Sequence, residues 1–275
     1  MIALGARRVD VTNRALVMGV LNRTKDSFFP PAATYDLDDF YRRADQLVAE
    51  GADLLDVGGV KAGPGEEISE DEELARVVPV IGELARRFDV PLSVDTWRAS
   101  VARDGYAAGA CVGNDISGFA DSDYLPVAAS AGATVVATHI RLRPRVADPN
   151  PHYEDVAKSV QAFLLERRRW AIEAGLTHEQ VILDAGLDLG KTATQSLELL
   201  RDSASLAALG SPLLLSASNK TFLGTLLDLG VTERREASLA AVAIGVSQGC
   251  RILRVHDVAG TCRVRDTLAR LMEVE

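Results

Sequence analysis

Asn22, Asp95, Asn114, Asp184, Lys220, Arg254 and His256 all stand at or just past the downstream ends of short apolar runs. The two carboxylates, the amide and the ammonium of Asp95, Asn114, Asp184 and Lys220 suit a flat, nitrogen-rich heterocycle. Asp and Asn accept its amino and ring N–H groups, and Lys meets a ring carbonyl or nitrogen. Asn22, Arg254 and His256 add the set expected for a phosphate or pyrophosphate, with or without Mg2+. A heterocycle carrying a diphosphate is the ligand these residue types describe. No His/Cys cluster points to zinc, and Ser218 lacks a GxSxG setting, so nucleophilic hydrolase chemistry is the weaker reading.

Plainer roles compete at each position. Asp95 can serve as a helix cap, Asn114 and Asp115 as turn formers, and His139 as a satisfied interior imidazole. Convergence on one rim favours a ligand, because a buried carboxylate or ammonium costs on the order of several kcal/mol unless it is paired or used.

Eight apolar runs read as strands: Ala15 to Leu21, Asp53 to Val57, Leu92 to Val94, Ala110 to Asn114, Thr134 to Ala137, Val181 to Leu183, Pro212 to Leu215 and Ile252 to Val255. All are short and nearly all apolar, as parallel strands buried on both faces must be. Between them lie segments of helical period: Leu37 to Glu50, Glu70 to Phe88, Trp97 to Ala108, Tyr124 to Ala131, Tyr153 to Ala174, Thr194 to Ala208, Glu233 to Gln248 and Gly260 to Glu273. Eight right-handed βα units close most simply as a single TIM (β/α)8 barrel over residues 1–275. A doubly wound sheet is the alternative, but no GxGxxG follows the first strand. Long loops at 23–36, 58–69 and 140–151 all follow strands, on the face where barrels carry their chemistry.

The composition, 47% hydrophobic and 25% charged over 275 residues, excludes a disordered chain. The net charge of −9 argues against nucleic acid as a partner, with Lys61, Lys220, Arg254 and His256 as a local exception on the rim. Three scattered cysteines give no disulfide framework, and neither a secretion signal nor a membrane span is evident, so the expected location is cytoplasmic.

Several motifs resemble those of the dihydropteroate synthase family. MGVLNRTKDSF at Met18 to Phe28 is similar to the family's MGILNVTPDSF, and Asp56 to Gly59 to its DVGG. Ser93 to Ala99 resembles SIDTxRA, Asn114 to Gly118 reads NDISG, Tyr153 to Val156 fits YxDV, and Arg254 to Val258 reads RVHDV. The resemblance spans nearly the whole chain. It implies a pterin-binding barrel that condenses 6-hydroxymethyl-7,8-dihydropterin diphosphate with 4-aminobenzoate and releases pyrophosphate. Pterin contacts then fall to Asp95, Asn114, Asp184 and Lys220, diphosphate contacts to Asn22, Arg254 and His256, and Mg2+ to Asn22 and the diphosphate. Asp95 and Lys220 become the catalytic pair, the first two loops cover the site, and a homodimer forms through the last helices.

Departures from the family pattern gather on the aminobenzoate side. GGESTRPG becomes GGVKAGPG, so Thr and Arg are replaced by Ala62 and Gly63, with Lys61 as a partial substitute. In DAGLDLGK, Leu189 replaces a Phe and Asp188 adds a charge; SRK becomes Ser218-Asn219-Lys220; Thr138 precedes His139 in place of Met. This pattern is similar to the second, divergent actinobacterial paralogue, a branch regarded as doubtful or inactive. Losing a bidentate Arg forfeits about 1.5 to 3 kcal/mol toward a carboxylate. Pterin recognition is therefore expected to be better kept than condensation. The alternatives are a fully active synthase of folate biosynthesis, a noncatalytic pterin-binding or regulatory protein, and a folate methyltransferase-like barrel, the last opposed by Arg254 and His256.

Overall fold

The computed structural model describes residues 1–24 and 36–272. Its element order opens with a hairpin, β1 (Ile2–Leu4) and β2 (Arg7–Val9). The barrel strands follow: β3 (Leu16–Asn22), β4 (Leu54–Gly58), β5 (Leu92–Asp95), β6 (Val112–Asp115), β7 (Thr134–Thr138), β8 (Val181–Asp184), β9 (Leu213–Leu215) and β10 (Cys250–Val255). They pair in parallel as β10-β3-β4-β5-β6-β7-β8-β9 and close on themselves, which is the expected TIM barrel. The helices are α1 (Leu37–Ala49), α2 (Glu70–Arg87), α3 (Ala99–Ala108), α4 (Tyr124–Ala131), α5 (Val156–Glu173), α6 (Ala193–Arg201), α7 (Ser203–Ala207), α8 (Thr221–Leu227), α9 (Arg235–Ser247) and α10 (Val258–Met272).

Two faces of each strand make two cores. Outward residues such as Val17, Leu55, Val94, Val135, Leu183 and Leu253 pack under the helices. Inward residues Met18, Leu54, Val112, Val136, Ile182, Leu214 and Ile252 fill the barrel, and Ile2, Leu4 and Val11 close its floor. The hairpin that supplies this plug has strands of three residues, too short to show a period in the sequence.

The side-chain period of two then dictates the rim. Two positions beyond an inward apolar residue, the chain again points into the barrel. Leu54 is followed in this way by Asp56, Val112 by Asn114, Val136 by Thr138, Ile182 by Asp184, Leu214 by Ser216 and Ile252 by Arg254. Register completes the alignment: Asn22 pairs with Gly58, Gly58 with Asp95, and Asp95 with Asn114, in one row across four strands.

Several boundaries differ from expectation. The segment Thr194 to Ala208 breaks at Asp202 into α6 and α7. Helix α8 was not anticipated; its seven residues are too few for a periodic signal. Pro79 sits inside α2, where it removes the N–H that would bind the Ala75 carbonyl. Arg23 donates Nη1 to the carbonyls of Ala75 at 3.2 Å and Arg76 at 3.0 Å, tying the start of the first long loop to that helix. The rest of that loop, residues 25–35, lies outside the described residues.

Candidate active site

The downstream mouth of the barrel opens into a cavity of about 650 Å³. Asn22, Asp95, Asn114, Asp184, Lys220, Arg254 and His256 all line it. So do the residues expected on the aminobenzoate side, Lys61, Ala62, Gly63, Leu189 and Ser218.

Arg254 organises one wall. Its Nε donates to Asp56 Oδ2 and its Nη2 to Asp95 Oδ2, each at 2.7 Å. Asp56 is fully buried and also accepts Asn114 Nδ2 at 3.1 Å. A carboxylate only accepts, so this bond fixes the Asn114 amide with its Oδ1 directed elsewhere. Burial, with Asp56, Glu73 and Asp115 nearby, pushes the Asp95 carboxyl up to about 7 against the pull of Arg254.

Four lining side chains each keep a polar atom uncommitted to any described residue. Asp95 Oδ2 is taken by Arg254, leaving Oδ1, and Asn114 keeps Oδ1. Asp184 Oδ1 accepts the Gly186 N–H at 2.8 Å, leaving Oδ2. Lys220 Nζ makes no hydrogen bond or ion pair with a described residue, and burial pulls its ammonium below the usual range. Three acceptors and one cationic donor thus face one space, which is an arrangement that asks for a ligand.

His256 differs from the expected cation. Burial, with Arg254, Arg43 and Lys220 around it, pushes its imidazole down to about 3, so the ring is neutral. Ser218 Oγ accepts the His256 backbone N–H at 3.2 Å and lies 3.0 Å from Nδ1. As a neutral ring, His256 meets an anion by hydrogen bonding and not by charge.

Of the plainer readings, Asp115 and His139 follow theirs. Asp115 accepts the N–H groups of Ser117 at 2.6 Å and Phe119 at 2.9 Å, closing the turn after β6. His139 Nδ1 lies 2.8 Å from Lys191 Nζ in the interior. Asp95 is no cap: α3 is preceded by Arg98, and the Ala99 N–H goes to Asp121 at 2.9 Å.

Sequence reasoning assigned no supporting role to Asp56, Lys191, Asp188 or Glu73. Asp56 had a signal, its place two residues beyond inward-facing Leu54. Lys191 donates to the carbonyls of Gly186 at 2.9 Å and Leu189 at 3.1 Å, folding the loop after β8 against the cavity. Gly186 is needed there, since its φ is +64° and a Cβ would fall 1.9 Å from the His139 carbonyl oxygen. Asp188 accepts the N–H groups of Thr221 at 2.5 Å and Phe222 at 3.2 Å, capping α8 directly after Lys220. Deeper still, buried Glu73 accepts Thr96 Oγ1 at 2.6 Å and pairs with Arg98, whose Nη2 holds the Ile68 carbonyl at 2.7 Å. The segment after Asp95 and the end of the second loop are thereby fixed together.

Among the described residues no group of three His, Cys, Asp or Glu side chains is arranged to hold a metal ion. The profile of the family described as pterin binding enzyme matches residues 18–256. The chain belongs to the pterin-binding enzyme family. Within it, the chain is 42% identical over 265 residues to the inactive dihydropteroate synthase 2 of Mycobacterium leprae, covering 94% of this chain and 91% of that one. It is 38% identical over 262 residues to the dihydropteroate synthase of Bacillus subtilis, covering 94% and 88%. The crystal structure of the Yersinia pestis dihydropteroate synthase with a sulfonamide drug complex superposes with a TM-score of 0.91 at 36% identity, over 96% of this chain and 95% of that one. The family barrel is thus present essentially from end to end.

Proposed function

We propose that the protein binds 6-hydroxymethyl-7,8-dihydropterin diphosphate in this cavity and that its condensation with 4-aminobenzoate is weak or lost. The observation that carries the reading is the set of uncommitted polar atoms on Asp95, Asn114, Asp184 and Lys220. A pterin ring supplies amino and ring N–H donors for the three oxygens and a carbonyl for the ammonium. The diphosphate is assigned to Arg254, His256 and Asn22.

The donor set fits Mg2+ in one way. Gly58 has no side chain between Asn22 and Asp95; a Cβ there would come within 3.0 Å of Asn22 Oδ1. That amide oxygen is a hard ligand, and the remaining ligands would be diphosphate oxygens and water. Bound there, Mg2+ would neutralise charge on the leaving diphosphate.

Departure of the diphosphate breaks the C–O bond, the electron pair leaves with the oxygen, and the pterin methylene becomes cationic. Asp95 faces that developing charge, while Arg254 touches both Asp95 and the assigned diphosphate position, so loss of one negative group is felt by the other. An arylamine nitrogen would then form the new C–N bond and lose a proton. On that side the cavity offers Lys61 and the small residues Ala62 and Gly63 in place of a guanidinium fork, so a benzoate carboxylate is poorly oriented. The relative named as inactive and the one named as a synthase both leave room for this outcome. Lys61 on the cavity wall favours the second reading, a working synthase.

Exposed Ile244 on α9 and Leu271 on α10, 44% and 75% accessible, support a homodimer through the last helices. Unpaired Cys111, Cys250 and Cys262 suit the reducing cytoplasm. No described helix is long and apolar enough to cross a membrane.

A coupled pyrophosphate-release assay with and without 4-aminobenzoate tests the reading. Release that 4-aminobenzoate barely accelerates is expected; turnover of about 1 per second or faster that depends on it would establish the working synthase instead. Binding with no release at all would identify a noncatalytic pterin protein.

A further inference from the structure

A second chamber of about 160 Å³ adjoins the cavity, sharing Ala62, Gly63, Pro64 and Leu189 with it as a common wall. Its far side is the β7–α5 loop, including Arg143, Arg145 and Val146. The wall is low at Gly63. No positive φ requires glycine there, and a Cβ would meet nothing within 4 Å, so the missing side chain simply leaves open space. The volume holds about five water-sized groups.

Charge in the chamber is uneven. Asp148 is already paired with Arg141 at 2.5 and 2.6 Å, and Asp188 is spent on capping α8. Arg145 pairs with no carboxylate among the described residues: its Nη1 donates to the Lys61 carbonyl at 3.0 Å, its Nη2 to the Glu66 carbonyl, and its backbone N–H to the Ala62 carbonyl at 3.0 Å. These bonds hold the second loop in place and leave the guanidinium charge unneutralised. The Arg143 side chain makes no hydrogen bond or ion pair with any described residue, its carbonyl accepts the Val146 N–H at 3.2 Å, and exposed Leu142 and Val146 flank it with apolar surface. In a chain of net charge −9, this is a cationic pocket with its acids already engaged.

Resting on the pterin reading above, we propose that the chamber is an anion subsite for the second ligand, an arylamine whose carboxylate-bearing arm is longer than a benzoate. The amine lies at the pterin side, the arm passes Gly63, and its carboxylate ends on Arg143 with Arg145 behind it. Such an arm gives the ligand a guanidinium partner that the aminobenzoate side of the cavity, with Lys61, Ala62 and Gly63, lacks.

The test titrates the full-length protein with 4-aminobenzoate and with 4-aminobenzoylglutamate, each in the presence and absence of pterin diphosphate, by calorimetry. The longer ligand is expected to bind about tenfold more tightly, the preference disappearing in Arg143→Ala and partly returning in Arg143→Lys. Arg143 is exposed, so neither change should disturb folding. Equal affinities in both conditions, or a preference that survives Arg143→Ala, overturns the subsite. Absence of heat from pterin diphosphate alone, with the arm preference intact, overturns the pterin reading and leaves the subsite standing.

Discussion

Arg254 and Asp56 form a buried ion pair, Nε to Oδ2 at 2.7 Å, between the last strand of the barrel and its second. The same Asp56 oxygen receives Asn114, so one carboxylate aims both a cation assigned to the diphosphate and an amide assigned to the pterin. Breaking a buried pair from one side leaves an uncompensated charge, at a cost of about 3 to 5 kcal/mol. Asp56→Ala should lose roughly that much stability in urea unfolding and weaken pterin diphosphate binding, although Asp56 is not among the cavity-lining residues. Unchanged stability would mean that Asp95 alone satisfies Arg254.

The buried titratable groups oppose one another with pH. Burial pushes His139 and His256 down to about 3 from 6.5, so the unfolded chain takes protons there that the folded chain refuses. Their contribution is complete above pH 6.5 and is lost as pH falls toward 3. Burial pushes Asp95 up to about 7 and Asp115 up to about 6 from 3.8, so their contribution is present below 3.8 and lost as pH rises. Between about pH 4 and 6 the two slopes act against each other. His139→Asn, which keeps an acceptor for Lys191, removes one rising slope, so stability should fall with pH by up to about 1.4 kcal/mol per unit more steeply than in the parent. Unfolding curves at several pH values measure this; an unaltered slope would contradict the neutral imidazole.

Asp188 occupies a left-handed conformation, φ +67°, that usually favours glycine. Its carboxylate caps α8 next to Lys220. Asp188→Gly relieves the backbone but removes the cap, for a net loss of about 1 kcal/mol; Asp188→Ala removes the cap and keeps the strain, so it should cost more. If the cap positions Lys220, both variants weaken pterin binding, and Asp188→Asn recovers part of it. Calorimetric affinities that ignore all three changes would make Asp188 a loop residue only.

Gly63 provides a gain-of-function prediction. Since the position has open space and no positive φ, Gly63→Arg should leave stability within about 0.5 kcal/mol of the parent. Placing the guanidinium that the resembling family carries there should raise 4-aminobenzoate-dependent pyrophosphate release about tenfold or more. The same side chain should block the way to Arg143 and reduce the preference for the longer ligand. No rise in release would show that the aminobenzoate defect lies elsewhere, at Leu189 or Asn219.

Much of this was legible in the chain. The eight apolar runs and their polar terminations fix a barrel rim because strand period and register leave little freedom, and the twelve expected site residues do meet at one cavity. What escaped reading depends on contacts between loops. Asp188 reaches α8 from the neighbouring βα unit, Lys191 folds back onto carbonyls of its own loop, and Arg145 clamps the second loop from the fifth; no local pattern announces such pairings. Charge state escaped as well, since His256 looked cationic until its burial beside Arg254 was known. The short elements, the β1–β2 hairpin and α8, lack enough residues to display a period.

On the proposed reading, the cavity binds a pterin diphosphate through Asp184 and Lys220. Calorimetric titration of the intact chain with 6-hydroxymethyl-7,8-dihydropterin diphosphate and Mg2+, beside Asp184→Asn and Lys220→Met, tests it directly. Saturable one-site binding is expected in the parent and at least about a tenfold weaker affinity in each variant, with folding retained by circular dichroism. No binding by the folded parent, or equal binding by all three proteins, would contradict it.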